Sequence, residues 1–134
     1  MGFLDEKTYV DQAENVLKEL SKPGTDKFGN KRPAQLVTTS KIRNILSMAA
    51  DIYDNVLQNS SSELSSDIVG RIEYLRVRMI YESGREHTVK RFLEASKLLE
   101  YVKMIGNDKK KFILFYRYME ALVAFHKYYG GKEN

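Results

Sequence analysis

Arginines and tyrosines alternate along residues 71–85, which read RIEYLRVRMIYESGR. They follow the spacing i, i+3, i+7, i+10 and i+14, which places them along one side of an α-helix. Guanidinium groups can contact phosphates and phenol rings can stack on bases, so the pattern favours a surface that holds a nucleic-acid strand. We call it the basic stripe, and its members are Arg71, Tyr74, Arg78, Tyr81 and Arg85.

A second, apolar stripe on the same segment supplies the means to anchor that helix. Its members are Ile68, Ile72, Leu75 and Met79. At roughly 100° per residue, the two stripes are centred about 120° apart around the helix. The segment can therefore pack on a core and still present the basic stripe sideways to a partner.

The charge of the chain is unevenly distributed along its length. Residues 1–70 hold 8 Lys/Arg against 10 Asp/Glu, a net of −2, whereas residues 71–134 hold 14 against 8, a net of +6. A basic half suggests an anionic partner such as nucleic acid. A solvated, lysine-rich surface that aids solubility would give the same balance, so charge alone does not choose between the two.

Sustained 3.6-residue periodicity and the absence of proline after Pro33 predict an all-α fold, a compact five-helix bundle that forms a single domain over residues 1–134. A flexible loop is expected at about 21–38 and a short polar tail at 130–134. The predicted helices cover about 8–20, 39–57, 66–83, 86–105 and 109–129. Thr39 or Ser40 is expected to cap the second helix, and Gly84 is expected to interrupt the third.

Cations also gather near the start of the second predicted helix. Lys41 and Arg43 stand in its first turn, where they oppose the helix dipole. A phosphate bound at this N-terminus would explain them, although two long side chains that reach solvent would cost almost nothing. The preceding loop carries four more cations and is either a solvated linker or a segment that a partner orders; these are Lys22, Lys27, Lys31 and Arg32.

The last predicted helix, KKKFILFYRYMEALVAFHKYY, carries apolar residues over most of its circumference. Such a helix is either central to a bundle or exposed as a docking surface. Its His126 lies on the apolar face, which favours a core or interface role over metal binding.

Motifs for catalysis and metal binding are missing from the sequence. Cysteine is absent, no glycines follow GxGxxG or GxxxxGK spacing, and His87 and His126 have no HExxH pattern. Carboxylate pairs such as Asp51 and Asp54 are typical of a solvated helix face. We therefore expect no catalytic residue, no metal site and no cofactor. No apolar run approaches the roughly 18 residues that span a membrane, and no signal peptide is evident, so the expected location is the cytoplasm.

Three segments resemble a known family. TSKIRNIL, RIEYLRVRMIYESGRE and RYMEALVAFHKYYGG are similar, in this order, to the small subunit of the type III-A CRISPR effector, the Csm complex. The resemblance runs from about residue 36 to 131. It implies a compact five-helix protein without a catalytic site, several copies of which stack head to tail beside the filament that holds the CRISPR RNA. It also implies that these copies line the groove where target RNA pairs with that guide, and bridge towards the polymerase-like subunit.

The resemblance and the helix geometry together give candidate site residues. The expected RNA-binding residues are Lys41, Arg43, Arg71, Arg76, Arg78, Arg85 and Lys90. Arg78 rests on stripe geometry, while Arg76 rests on the resemblance and has Glu73 as an alternative partner. The expected subunit-interface residues are Arg117, Tyr118, Phe125 and Tyr129. The alternative function is a helical protein–protein scaffold that docks through the last helix, its basic surface being incidental.

Overall fold

The computed structural model describes residues 2–131, so the last three residues of the predicted tail at 130–134 lie outside the described range. Within that range the chain forms α-helices and one small β-hairpin, so the all-α prediction is broadly confirmed. The helices number six in this range rather than five. The elements are α1 (Tyr9–Leu20), β1 (Gly24–Thr25), β2 (Lys31–Arg32), α2 (Thr39–Gln58), α3 (Ser66–Arg85), α4 (His87–Ser96), α5 (Leu98–Met104) and α6 (Lys109–Tyr128).

The extra helix arises from a break at Lys97 in the predicted helix 86–105. Lys97 adopts the left-handed conformation with φ 62° and ψ 24°, and it ends α4 and starts α5. This conformation costs a residue with a side chain about 1 kcal/mol. The break leaves the Ser96 carbonyl without its usual helical partner, and the buried Tyr118 hydroxyl donates to it at 2.8 Å. Apolar positions continue on both sides of Lys97, so the periodicity does not reveal the break.

Helix boundaries elsewhere follow capping chemistry. The Ser65 hydroxyl accepts from the Ile68 amide at the start of α3, and the Asp108 carboxylate accepts from the Lys111 amide at the start of α6. The predicted Thr39 or Ser40 cap of α2 is wrong, because the residue before that helix is Thr38, which makes no side-chain capping bond. The prediction that Gly84 interrupts the third helix is also wrong, since α3 continues to Arg85.

Helix α6 lies at the centre of the fold. It packs against α1, α2 and α5. Of the two interpretations of its apolar circumference, a central helix or an exposed docking surface, the structure therefore supports the central helix. Tyr116 also stacks on Tyr53 of α2, with ring centroids 4.3 Å apart. The buried residues of α6 are Phe112, Phe115, Tyr116, Tyr118, Met119, Leu122 and His126.

The C-terminal end of α6 closes with a Schellman motif. Gly130 has φ 93°, its amide donates to the Lys127 carbonyl, and the Gly131 amide donates to the His126 carbonyl at 2.8 Å. Gly131 lies so close to the buried imidazole that an added Cβ would be 2.0 Å from His126 Cε1. The Nε2 of His126 lies 2.5 Å from the Val37 carbonyl oxygen, so it carries the proton and donates it there. The last turn of α6 therefore anchors the end of the loop before α2.

That loop contains an antiparallel hairpin, in which Gly24 faces Arg32 and Thr25 faces Lys31. Its turn is built around Asp26, whose carboxylate accepts from the amides of Asn30 at 2.8 Å and Phe28 at 2.9 Å. The backbone hydrogen bond from Asn30, followed by that from Phe28, lowers the pKa of Asp26 against an opposing effect of desolvation. The loop at 21–38 thus has defined local structure, and its flexibility stays a prediction.

Candidate nucleic-acid interface

Helix α3 presents the basic stripe to solvent. Its apolar stripe is buried through Ile68, Ile72, Leu75 and Met79, which confirms how the sequence orients the helix. Tyr74 is 64% exposed, and Tyr81, Arg71 and Arg85 are also exposed, whereas Arg78 is half-buried. The stripe is therefore accessible along its whole length.

Aromatic and charged groups contact one another at the C-terminal end of this stripe. The guanidinium carbons of Arg78 and Arg85 lie 5.1 Å and 5.6 Å from the centroid of the Tyr81 ring. Both arginines also approach one carboxylate oxygen of Glu82, at 3.4 Å and 3.6 Å. Each guanidinium has five N–H donors, so donors remain for a phosphate. Exposed ion pairs of this kind contribute at most about 1 kcal/mol, so an RNA strand can compete with them.

The side of α3 opposite the core carries apolar residues and glycines that sequence reasoning did not recognise as one face. Val77 is 56% exposed and Ile80 49% exposed. A Cβ added at Gly70 or Gly84 would meet nothing within 4 Å, so packing inside this chain does not require either glycine. An interior glycine costs a helix about 1 kcal/mol relative to alanine. A helical-wheel projection of 70–84 would have found this face, because 70, 77 and 84 recur every seven residues.

A groove separates α3 from α2 beside this face. It encloses about 440 Å³, with Gly70, Arg71 and Tyr74 on one wall and Met48 and Asp51 on the other. The phenol and guanidinium at its rim place polar and aromatic surface next to an apolar floor. This arrangement suits a ligand with both a flat ring and a charge, as a nucleotide has.

The remaining predicted RNA-binding residues lie near the end of α3 or beside it. Lys41 forms an ion pair with Glu86, which directly follows the stripe residue Arg85. The starts of α2 and α4 therefore meet at the end of α3. Arg43 and Lys90 are exposed. Arg76 donates to Glu73 at 3.4 Å, the alternative partner considered from the sequence, and it lies on the other flank of the helix from the basic stripe.

The predicted subunit-interface residues divide between surface and core. Arg117 is exposed, and Phe125 and Tyr129 are half-buried with ring centroids 6.4 Å apart. The Tyr129 hydroxyl donates to Glu14 at 2.7 Å, and this hydrogen bond raises the pKa of Tyr129 to about 12. Tyr118 is fully buried, so it is a core residue and does not fit the predicted contact with a neighbour. Its burial raises its pKa well above the usual range.

The described part of the chain contains neither a cluster of potential metal ligands nor a membrane-spanning helix. Among residues 2–131, no three or more His, Cys, Asp or Glu side chains come together in a way that could hold a metal ion. In the same range, no helix is both long enough and apolar enough to cross a membrane.

The chain is a small helical protein with an exposed basic surface, and comparison with known proteins identifies its family. The family model described as Csm2 Type III-A matches residues 10–132. The protein named CRISPR system Cms protein Csm2 from Streptococcus thermophilus is 41% identical over 133 residues, covering 99% of this chain and 100% of the relative. Its namesake from Mycobacterium tuberculosis (strain CDC 1551 / Oshkosh) is 38% identical over 125 residues, covering 93% and 94%. The chain therefore belongs to the Csm2 type III-A family, the non-catalytic small subunits of the Csm complex, and the resemblance drawn from the sequence is confirmed.

Proposed function

We propose that this chain contacts RNA within a type III-A CRISPR interference complex, where it lines the groove in which target RNA pairs with the CRISPR RNA. The observation that carries the proposal is the solvent exposure of the basic stripe on a helix whose apolar stripe is locked into the core. Family membership supplies the context of a multi-subunit assembly, which we expect to be built around a guide RNA in the cytoplasm.

The spacing of the stripe suits contacts to backbone rather than to particular bases. Arg71, Arg78 and Arg85 recur every seven residues, which is about 10.5 Å along the helix axis. The Lys41 ammonium pairs with Glu86, which directly follows Arg85 in the chain, so a further cation lies close to the end of this row. Contacts of this type position a strand without reading its sequence. Sequence selection then belongs to base pairing between guide and target.

The partners we propose are other subunits of the complex, including the guide-filament and polymerase-like subunits, and neighbouring copies of this chain. The exposed apolar residues Val77 and Ile80 suit a protein neighbour. Phe125 and Tyr129 offer a second contact at the C-terminal end of α6, and Arg117 offers an exposed cation near the middle of the same helix.

Charge reversal on the stripe tests the proposal directly. The double variant Arg71→Glu/Arg85→Glu should bind single-stranded RNA at least tenfold more weakly, and its log–log salt dependence should be flatter by roughly 0.7 for each phosphate that is no longer bound. A matched control, Lys18→Glu/Lys103→Glu, changes net charge equally at exposed positions on α1 and α5. An equal drop in affinity for both variants would indicate bulk charge and contradict a role for the stripe. The assembled complex carrying the stripe variant should also capture less target RNA.

The alternative function is a protein–protein scaffold with an incidental basic surface, and the exposure of Val77 and Ile80 favours it. The neutral variant Val77→Ser/Ile80→Ser removes apolar surface without adding charge. The scaffold function requires two results together. This variant, or one altered at Phe125 and Tyr129, would fail to assemble, while the Arg71→Glu/Arg85→Glu variant would capture RNA normally. Those results would replace the proposed RNA-contacting function with the scaffold function.

A further inference from the structure

The tip of the β1–β2 hairpin holds an aromatic ring out in solvent. Phe28 is 76% exposed. The turn beneath it is well defined, because the Asp26 carboxylate accepts from the Phe28 and Asn30 amides and Gly29 takes the left-handed conformation with φ 82°. A fixed turn presents the ring with less conformational entropy to lose on binding than a free chain would have.

The loop that carries this ring is rich in cations and has little opposing charge. Residues 21–38 contain four cations and one carboxylate, Asp26, a net charge of +3. The Asp26 carboxylate is already occupied by backbone amides. The Lys27 ammonium lies 5.2 Å from the centroid of the Phe28 ring. The other cations of the hairpin region are Lys22, Lys31 and Arg32.

This positive surface continues from the hairpin onto α4. A cavity of about 260 Å³ separates the two, and Lys22, Arg32, His87 and Arg91 line it. Arg91 donates to the Gln35 carbonyl at 3.3 Å, which fixes the base of the loop against α4. The first turn of α4 also joins the end of α3 at residue 86. Basic residues thus continue from the hairpin onto the first turns of α4, which follow the end of α3 in the chain.

We infer that the hairpin tip is a second RNA contact, in which the Phe28 ring stacks on an unpaired base while Lys27, Lys31 and Arg32 contact the flanking phosphates. An aromatic platform among cations suits single-stranded nucleic acid, because every base offers a ring face and every link an anion. An apolar protein pocket is a poorer match, since it would have to desolvate the cations beside the ring. The inference rests on the proposed RNA-contacting function, but the hairpin tip and the basic stripe consist of different residues, so variants can impair either contact alone.

The absence of tryptophan from the chain makes a direct test feasible. Phe28→Trp introduces a single tryptophan at the tip, and its fluorescence should be quenched when a short single-stranded oligouridylate binds, because stacking on a base quenches indole emission. The control is Val10→Trp, which places the only tryptophan at an exposed position on α1 beside Asp11. Its emission should not change. Absence of quenching in Phe28→Trp under conditions where RNA is bound would overturn the inference.

Affinity measurements distinguish stacking from charge. Phe28→Ala should weaken oligouridylate binding about tenfold with an unchanged salt slope, because the ring carries no charge, whereas Phe28→Tyr should bind as the parent does. Lys31→Ala should instead flatten the slope by roughly 0.7. Parent-like RNA binding by Phe28→Ala, or a defect only in subunit assembly, would overturn the proposal and mark the tip as a protein contact. The Arg71→Glu/Arg85→Glu variant, measured alongside, reports on the stripe independently.

Discussion

Helices α3 and α6 have the same length of 20 residues and the same type of side-chain cap, yet they use their surfaces differently. α6 is surrounded by other helices and buries apolar residues over most of its circumference. α3 buries one stripe and leaves a basic flank and an apolar, glycine-bounded face in solvent. The contrast indicates that α6 stabilises the fold while α3 offers surface for the proposed contacts, so mutations should separate the two.

The largest expected effect is a loss of stability caused by a cavity beside α6, the helix that other helices surround. Phe115 is fully buried, so Phe115→Ala should lower the free energy of unfolding by about 3–5 kcal/mol. The exposed Tyr74→Ala should change it by no more than about 0.5 kcal/mol. Urea denaturation followed by circular dichroism measures both. A comparable destabilisation in Tyr74→Ala would show that the outer side of α3 is structural and would erase the contrast.

The last turn of α6 gives the next largest effect. Gly131→Ala would place a Cβ against the buried His126 ring and should cost about 1–3 kcal/mol by overpacking. Gly24→Ala is the matched control, because nothing lies within 4 Å of a Cβ added there. Parent-like thermal stability of Gly131→Ala would mean that this turn does not secure the end of the helix.

On α3, a glycine substitution should act in the opposite direction. Gly70→Ala meets open space and should stabilise the free protein by about 0.5–1 kcal/mol, because alanine is the better helix former. The same methyl group should hinder a partner that approaches the backbone, so capture of target RNA by the assembled complex should fall. Raised stability with unchanged capture would indicate that no partner comes close at Gly70.

The smallest effect concerns the Tyr129 hydroxyl. Its hydrogen bond to Glu14 raises its pKa from 10.0 to about 12, so the bond contributes stability that is fully present below about pH 10 and disappears as pH rises to about 12. The difference in melting temperature between the parent and Tyr129→Phe should therefore be largest near neutral pH and vanish across that window. Tyr116 and Tyr118 are present in both proteins, so they do not obscure the difference. A constant difference would contradict this assignment.

Features encoded locally were predictable from the sequence. The apolar stripe of α3, its serine cap and the Asp108 cap of α6 all depend on residues within one or two turns. The exposed basic stripe followed from the same periodicity. Family membership was also predictable, because the segments that carry it lie in these regular helices.

Features set by tertiary contacts were not predictable in this way. The break at Lys97 exposes the Ser96 carbonyl, which accepts from Tyr118, a residue 22 positions later in the chain. The burial of Tyr118 in turn depends on which helices pack around α6. The apolar residues around the circumference of α6 did not identify those neighbouring helices. The strands of the hairpin have two residues each, which is too short for any periodicity to register. The ion pair of Lys41 with Glu86 likewise joins separate helices.

The bond between Tyr129 and Glu14 joins residues 115 positions apart, and α1 packs on α6 over much of its length. This arrangement has a consequence for synthesis on the ribosome. The first helix leaves the exit tunnel long before its packing partner has been translated. The long chain segment between α1 and α6 must close before the contacts between these helices can stabilise the fold. Such long-range contacts therefore form late in folding. The nascent chain therefore carries amphipathic helices without a completed core until α6 emerges.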